Sequence, residues 1–353
     1  MPTNIMQIQE ILKGYTVDRK NIQSVGNMTV LPIVSDIEFT NVADVNEITL
    51  QRDANYNSLE FKNSSGKIGI AIQGWAIMDS KQHAQDRTIP YAHLVRAANS
   101  KVIPANCIQH TQAGHFDVNA IDHNAFKVLP PTLRSVALKQ SSYAAAEVGA
   151  LWSSLRTWAK GIDCDSRGLI QFYSQYEDRL NQFVAQFEPV EKQLGAIVLI
   201  NDQIIAIDIM PKYDSWKRVW RAFIRDSYGA EAVRVAEKNG AVIARPQTDT
   251  TKIKKFSDLE ALYTKMKDNF YDSLQSKFGQ AAQLSISYKQ LEKIQELSMI
   301  KLENDQFIGQ GVLHGDSHFI YLSLVSTSLE AKLVKQFSSL RTNPYGSSEF
   351  SFS

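Results

Sequence analysis

The amino-acid sequence predicts an α+β protein, in which a mostly β N-terminal region is followed by helices that alternate with β-hairpins around a shared core. Residues 27–110 contain short apolar runs separated by turn residues, which is the pattern of strands. Beyond Ser141, apolar residues recur at intervals of three and four, as on the buried face of a helix. Two later pairs of apolar runs flank short polar turns, which predicts hairpins.

The first elements follow from local patterns. Residues 5–12 place apolar side chains at helical spacing and end shortly before a glycine, which predicts a helix with a glycine at its C-terminal end. The apolar run 28–34 predicts a strand. Residues 59–61 and 68–72 flank the turn-rich segment 63–66, so they are predicted to pair as a hairpin.

The second part of the chain is predicted to contain both helices and hairpins. Amphipathic spacing predicts helices over 141–161, 169–187 and 213–237. The predicted hairpins join 194–200 to 204–209 and 307–313 to 319–325.

These elements divide the chain into five parts. They are an N-terminal helical extension (1–26), an α+β core (27–240), a polar linker (241–258), a C-terminal helix and hairpin region that completes the core (259–341), and a disordered tail (342–353).

Composition excludes several classes of protein. The 353 residues are 44% hydrophobic and 21% charged, which is ordinary for a globular protein with a substantial core. Lys and Arg number 38 against 37 acidic residues, so no bulk charge attracts nucleic acid or anionic lipid. Cys107 and Cys164 are too few for a disulfide framework, and the first residues lack a secretory signal. We therefore expect a cytoplasmic protein without a membrane or nucleic-acid partner, whose oligomeric state is left open.

A polar segment follows a strand that looks buried. It contains Lys81, Gln82, Gln85, Asp86 and Arg87. In one interpretation it faces a ligand, with Arg87 paired to a phosphate or carboxylate and Gln85 bonded to a base or ribose edge. In the other it is a solvated loop between strands.

A second cluster has side chains that bind metals. It comprises His110, His115, Asp117, Asp122 and His123, with Cys107 just upstream. The intervals match no standard ligand spacing, so no metal site is predicted. Nothing positions an orienting third group beside Cys107 and His110, which favours a small buried cysteine over a nucleophile.

Two further patterns have structural interpretations that we favour. His314 and His318 flank a Gly-Asp turn, so a hairpin is preferred to a helical histidine pair. The predicted helix over 213–237 carries a basic stripe opposite an aromatic face. We expect Trp216 and Trp220 in the core and the basic side chains on a solvated face, rather than either against a nucleic acid. The stripe consists of Lys212, Lys217, Arg218, Arg221, Arg225 and Arg234.

Three short motifs in the β region carry a family resemblance. They are Gly74-Trp75-Ala76-Ile77-Met78, Gln85-Asp86-Arg87 and Pro104-Ala105-Asn106-Cys107-Ile108-Gln109. With the later hairpins and the helix that ends in Ser-Tyr, they resemble the ARPP family, named for its association with ADP-ribosylglycohydrolases and rhodanese-type phosphatases. The resemblance covers residues 27–325, and the motif register leaves Gln82 as an alternative to Gln85.

The resemblance implies a ligand class and a set of site residues. The family associations point to a NAD- or ADP-ribose-derived nucleotide, with Trp75, Gln85, Arg87 and Gln109 as ligand-binding residues. Where the family has an acidic pair this chain has Trp75 and Ala76, and Gln109 replaces an acid. Because an amide does not exchange protons near neutral pH, these departures favour binding over catalysis.

Our leading hypothesis is binding, with processing left open, of such a nucleotide in an ADP-ribosylation or conflict-related pathway. Two alternatives remain: a non-catalytic interaction or assembly protein and a metal-dependent hydrolase. Catalytic residues are not assigned, whether the protein is an enzyme is undecided, and neither a cofactor nor a metal is predicted.

Overall fold

The computed structural model describes residues 4–55, 57–78, 85–108, 126–147, 149, 151–160, 162, 168–239, 272–273, 276, 279–315 and 318–327. The strands in the first half of the chain are β1 (Asn4–Gln7), β2 (Thr16–Val17), β3 (Gln23–Val25), β4 (Met28–Val34), β5 (Ile48–Asn55), β6 (Ser58–Asn63), β7 (Gly69–Ala71), β8 (Trp75–Ile77), β9 (Arg87–Thr88), β10 (His93–Val95), β11 (Ser100–Pro104), β12 (Asn106–Cys107) and β13 (Phe126–Val128). The later strands are β14 (Gln193–Ile200), β15 (Gln203–Ile209), β16 (Ser285–Ile294), β17 (Leu297–Glu303), β18 (Phe307–His314) and β19 (His318–Ser326).

The helices lie mostly between β13 and β16. They are α1 (Ile8–Ile11), α2 (Pro131–Gln140), α3 (Trp152–Ala159), α4 (Leu169–Gln175), α5 (Glu177–Gln186), α6 (Tyr213–Arg221), a π-helix (Ala222–Gly229) and α7 (Ala230–Asn239). Single 3₁₀ turns occupy Arg19–Asn21 and Val45–Glu47. The α+β class predicted from the sequence is confirmed.

One large antiparallel sheet organises the fold. Its strands run in the order β1-β16-β17-β18-β19-β15-β14-β4-β2, and β3 also pairs with β4. The ends of this order, β1 and β2, are joined by α1, whose Ile8 amide donates to the Leu284 carbonyl beside β16. After α1 and just before β2, Tyr15 donates its hydroxyl proton to the Phe319 carbonyl of β19. Ile8 and Ile11 pack among apolar residues of both halves of the sheet, so the sheet curls around this core.

The other face of the sheet carries the largest core and the helices. Alternation along each strand places one set of side chains on this face, among them Ala206, Tyr321 and Val325. α2, α3, α6 and the π-helix cover it, and their aromatic residues fill the interface. Trp216 is 0% and Trp220 is 6% exposed, which confirms that these two tryptophans belong to the core.

Three small sheets form the remaining layer. Their strand orders are β10-β7, β11-β6-β5 and β12-β9-β8-β13. They enclose a third apolar cluster around Phe61 and Ile77. The four-stranded sheet brings β8 between β9 and β13, which positions one wall of the candidate site.

Several predicted elements are confirmed. The strand over 28–34 is β4, and the predicted hairpins are the pairs β14–β15 and β18–β19. The predicted helix over 213–237 is a continuous helical segment from α6 to α7, but its centre is π-helical.

Two N-terminal predictions are wrong. Residues 59–61 and 68–72 do not pair with each other, because β6 joins β5 and β11 whereas β7 joins β10. The Asn63 amide fixes the separation by donating to the carbonyls of Lys67 and Val95. The helix predicted over 5–12 is helical only from residue 8, since residues 4–7 pair with β16.

Other predictions differ in extent or are not tested. The helix predicted over 141–161 is limited to α3 within the described residues, and α2 before it was not predicted. The proposed linker 241–258 and tail 342–353 lie outside the described residues, and the division into five parts stays a prediction. No helix in the described part of the chain has the length and apolar character needed to span a membrane.

Candidate functional site

A cleft of about 830 Å³ lies between the small sheets and the helical layer. One side is formed by residues of β5, β8 and β13, and the opposite side by α5, α6 and the π-helix. Its volume falls within the ~300–1,000 Å³ typical of small-molecule sites. It is the candidate functional site, and we call it the β13/α6 cleft.

The sheet side of the cleft has an aromatic wall. The Trp75 ring stacks on Phe61, with centroids 5.8 Å apart and an interplanar angle of 10°. Phe126, on the neighbouring strand, tilts against Trp75 at 5.2 Å. Phe61 is buried, whereas Trp75 and Phe126 are half-buried and line the cleft. The wall therefore offers an aromatic surface that a planar ligand can contact.

The helical side of the cleft supplies cations. Arg218 and Arg221 lie three residues apart on α6 and therefore on one face of the helix. The Arg218 Nε atom lies 3.5 Å from Asp44 Oδ1, with half of the Arg218 side chain exposed. Arg221 is exposed and forms no ion pair with any residue in the described ranges. Its guanidinium is available to an anion.

A buried carboxylate lies at the base of the cleft. Asp226 Oδ1 accepts a hydrogen bond from Arg225 at 2.5 Å and lies 3.6 Å from the Lys127 ammonium. Asp226 is 4% exposed. Burial raises the pKa of its carboxyl above the ordinary value, although Lys127 and Arg225 act in the opposite direction. Perturbed carboxyls in clefts are typical of functional sites.

Neighbouring helices hold these charges in place. Arg225 Nε donates to Asn181 Oδ1 at 3.0 Å, and its terminal nitrogen lies 3.8 Å from Glu177 Oε1 on α5. The Lys127 ammonium lies 5.3 Å from the centre of the Tyr173 ring. The Asp226 backbone carbonyl accepts a hydrogen bond from the Tyr173 hydroxyl at 2.8 Å.

The cleft has a surplus of positive charge. Four cationic side chains and two acidic ones line it, so two positive charges are in excess. They are Lys127, Arg218, Arg221 and Arg225 against Glu177 and Asp226.

Behind the cleft, the π-helix contributes to a fully buried ion pair. Arg134 donates to both Asp208 carboxylate oxygens, at 2.8 and 3.1 Å, and to Ser323 Oγ at 2.9 Å. The Tyr228 hydroxyl donates to Asp208 at 2.6 Å, and Ser227 Oγ lies 3.4 Å from Arg134. Arg134 and Asp208 are 0% exposed. This network ties α2 and the π-helix to the centre of the large sheet.

The turn before β8 packs directly on this network. Gly74 has φ +73°, a conformation that favours glycine. A Cβ atom there would lie 2.7 Å from Arg134 Cδ and 2.8 Å from Cγ. The close approach of this turn to Arg134 positions the adjacent Trp75 at the edge of the cleft.

The predicted site residues are distributed over one small sheet. Trp75 lines the cleft, and its contact with a ligand stays a prediction. Arg87 lies on the adjacent strand β9, paired with Ile77 and Cys107. Gln85, Asp86 and Arg87 are 0% exposed, so their interpretation as a solvated loop is wrong. Direct contact of Gln85 and Arg87 with a ligand stays a prediction.

Several other predicted site residues lie outside the residues that the structure describes. Gln109, the histidine and aspartate cluster over 110–123, Lys81 and Gln82 lie outside the described residues. No group of three or more metal-binding side chains occurs among the residues that are described. His314 and His318 pair across the β18–β19 turn, which confirms the hairpin interpretation.

Sequence reasoning missed most of the charged centre. The basic stripe that contains Arg218, Arg221 and Arg225 is visible in the sequence, but its prediction as a solvated face is wrong for Arg225 and Arg234, which are 8% and 2% exposed. Lys127 and Asp226 gave no signal, because they are far apart in sequence and each is unremarkable alone.

The comparisons with known proteins give one result. A family model described as the ARG and Rhodanese-Phosphatase-superfamily-associated Protein domain matches residues 16–325. No curated protein and no solved structure matches this chain significantly.

Proposed function

Since this chain belongs to the ARG and Rhodanese-Phosphatase-superfamily-associated Protein domain family, we propose that it binds a NAD- or ADP-ribose-derived nucleotide in the β13/α6 cleft. The observation that carries the proposal is the excess of positive charge beside an aromatic wall. The family description, which links the domain to ARG and rhodanese-phosphatase proteins, is consistent with an ADP-ribosylation pathway.

The two sides of the cleft suit different parts of such a ligand. Guanidinium groups bind phosphate oxygens through paired N–H donors, and Arg221 is the most available of them. Trp75 and Phe126 offer apolar ring surface to an adenine or nicotinamide ring. A ligand with both an anionic and an aromatic part uses both sides.

Gln85, Arg87 and Gln109 are proposed as the polar support of the same site. Arg87 is buried beside the strand that carries Trp75, whereas Gln109 lies outside the described residues and is proposed from the family resemblance. If Arg87 contacts a ligand phosphate, its replacement by Ala should weaken binding by about 1–3 kcal/mol. Equal affinities of Arg87→Ala and the wild-type protein would limit Arg87 to a structural role.

The described surface favours a small ligand over a protein partner. The exposed large hydrophobic residues in the described ranges are Ile5, Ile37 and Val102, and none of them is aromatic. An exposed aromatic patch without a polar-lined cavity would be typical of a protein-interaction surface. The charged cleft is the stronger feature.

Isothermal titration calorimetry tests the proposal directly. ADP-ribose, NAD and AMP are titrated into the wild-type protein, Trp75→Ala and Arg221→Ala. We expect Arg221→Ala to weaken ADP-ribose binding about tenfold. Lys217→Ala is the matched control, because Lys217 is exposed on α6 but does not line the cleft. Absence of binding by all three ligands, or equal losses in Arg221→Ala and Lys217→Ala, would contradict the proposal.

A further inference from the structure

Two of the four cations in the cleft share one internal partner. Arg225 at 2.5 Å and Lys127 at 3.6 Å both approach Asp226 Oδ1. The lysine comes from β13 and the arginine from the π-helix, so strands and helices converge on one oxygen atom. An anionic group of a ligand would bind the same two cations that this carboxylate contacts.

The negative charge of the Asp226 carboxylate is neutralised by these two cations rather than by the other groups around it. Tyr173 on α4 contacts the backbone carbonyl of Asp226 rather than its carboxylate. Glu177 on α5 lies 3.8 Å from Arg225 and is 61% exposed. On α6, Arg218 lies closest to Asp44, and Arg221 makes no ion pair with the described residues.

Arg225 therefore has a buried acidic neighbour, Asp226, and an exposed one, Glu177, whereas Lys127 is paired with Asp226 alone among the described residues. The Glu177 carboxylate is solvated, whereas that of Asp226 has lost almost all contact with water. Removing the neutralising cations from a buried carboxylate strongly disfavours its ionised form. A ligand anion that binds Lys127 and Arg225 will accordingly drive Asp226 to take up a proton from solvent.

We propose that Asp226 is a displaceable counter-ion that makes the cleft select phosphate-bearing ligands, and that phosphate binding at Lys127 and Arg225 is coupled to protonation of its carboxyl group. This inference rests on the proposed function. A phosphate group with two substituents stays ionised at pH values at which the buried carboxyl becomes neutral. It therefore replaces the Asp226 carboxylate as the anion that Lys127 and Arg225 bind. A nucleoside without phosphate cannot do so, and it leaves Asp226 ionised.

Calorimetry in two buffers of different ionisation enthalpy measures the coupling. ADP-ribose is the probe because both of its phosphates are esterified and do not titrate near pH 6, so proton uptake at about pH 6 is assigned to the protein. We expect uptake by the wild-type protein. Asp226→Asn keeps the shape and the hydrogen-bond acceptor but removes the charge. It should abolish the uptake and raise the affinity for ADP-ribose by about tenfold.

Two comparisons make the result specific. Asp214→Asn removes an exposed carboxylate of α6 that does not line the cleft, so it should retain the proton uptake of the wild-type protein. Adenosine should bind Asp226→Asn and the wild-type protein equally. Circular dichroism and thermal unfolding of Asp226→Asn establish that the variant is folded.

The outcomes separate this inference from the proposed function. Binding of ADP-ribose without proton uptake, or the same uptake in Asp226→Asn, would overturn the counter-ion while leaving the nucleotide site intact. A loss of ADP-ribose affinity in folded Asp226→Asn would also overturn it, since the carboxylate would then assist the ligand. Absence of ADP-ribose binding in every variant would reject both proposals.

Discussion

The buried pair of Arg134 and Asp208 offers the sharpest test of how this fold is held together. Replacing Arg134 with Met keeps an unbranched side chain but removes the hydrogen bonds to Asp208 and Ser323. Asp208 then keeps the Tyr228 hydroxyl, at 2.6 Å, as its side-chain donor among the described residues. Its carboxylate is left inside the protein without a cation.

The expected loss follows from that burial. The side chains of Arg134 and Asp208 are 0% and 1% exposed, so water cannot replace the lost partner. Removing one member of a buried pair typically costs about 3–5 kcal/mol. Domains are usually stable by only ~5–15 kcal/mol, so Arg134→Met should remove a large part of the free energy of unfolding.

Urea denaturation followed by tryptophan fluorescence and circular dichroism measures this loss. The control is the double variant Arg134→Met with Asp208→Leu, which removes both charges together. Because an apolar pair in the same volume has no uncompensated charge, the double variant should be more stable than Arg134→Met alone. If Arg134→Met loses less than about 1 kcal/mol, or if the double variant is no more stable than Arg134→Met, the pair does not have the role assigned to it.

Two further predictions concern stability. Gly74→Ala should destabilise the protein by at least ~1 kcal/mol more than Gly26→Ala. Both glycines have positive φ, but only at Gly74 would the new Cβ meet the Arg134 side chain. Equal unfolding midpoints of the two variants would contradict this prediction. Burial, aided by Lys101, lowers the pKa of His93 from 6.5 to about 3, so the folded state binds fewer protons than the unfolded state and stability falls as pH drops from 6.5 towards 3. Between about pH 7 and pH 5 the free energy of unfolding of the wild-type protein should fall by ~2 kcal/mol more than that of His93→Leu. His314→Gln is the control, because His314 is half-exposed. Parallel pH profiles of stability for the wild-type protein and His93→Leu would refute the assignment.

Local patterns in the sequence were sufficient for some elements and not for others. The run 28–34 and the two later hairpins have apolar strands with clear turns, so neighbouring residues determine them. The segment 63–66 looks equally like a hairpin turn, but Asn63 bonds to carbonyls near β10 and sends the flanking strands into different sheets. Strand pairing at long range depends on such contacts, which the local pattern does not contain.

The candidate site was harder to predict than the fold. Trp75 was identified through its motif, and it lines the cleft. Lys127 and Asp226 meet only because β13 packs against the π-helix. Arg134 is a charged residue at the centre of a buried helix, so it weakens the amphipathic pattern by which α2 could have been recognised. In each case the residue makes its main contacts with a partner that is distant in the chain.

The widened helical turn between α6 and α7 has a consequence for how this protein can vary. Four successive polar residues, 225–228, are all buried there, the first two at the cleft and the next two at the ion pair of α2 and β15. Because hydrogen bonds in a π-helix span five residues instead of four, deletion of a single residue would let the segment rewind and rotate one pair out of place. The charged residues of the cleft and the anchoring of the sheet are thus linked by backbone geometry, so a change in the length of this segment would alter both.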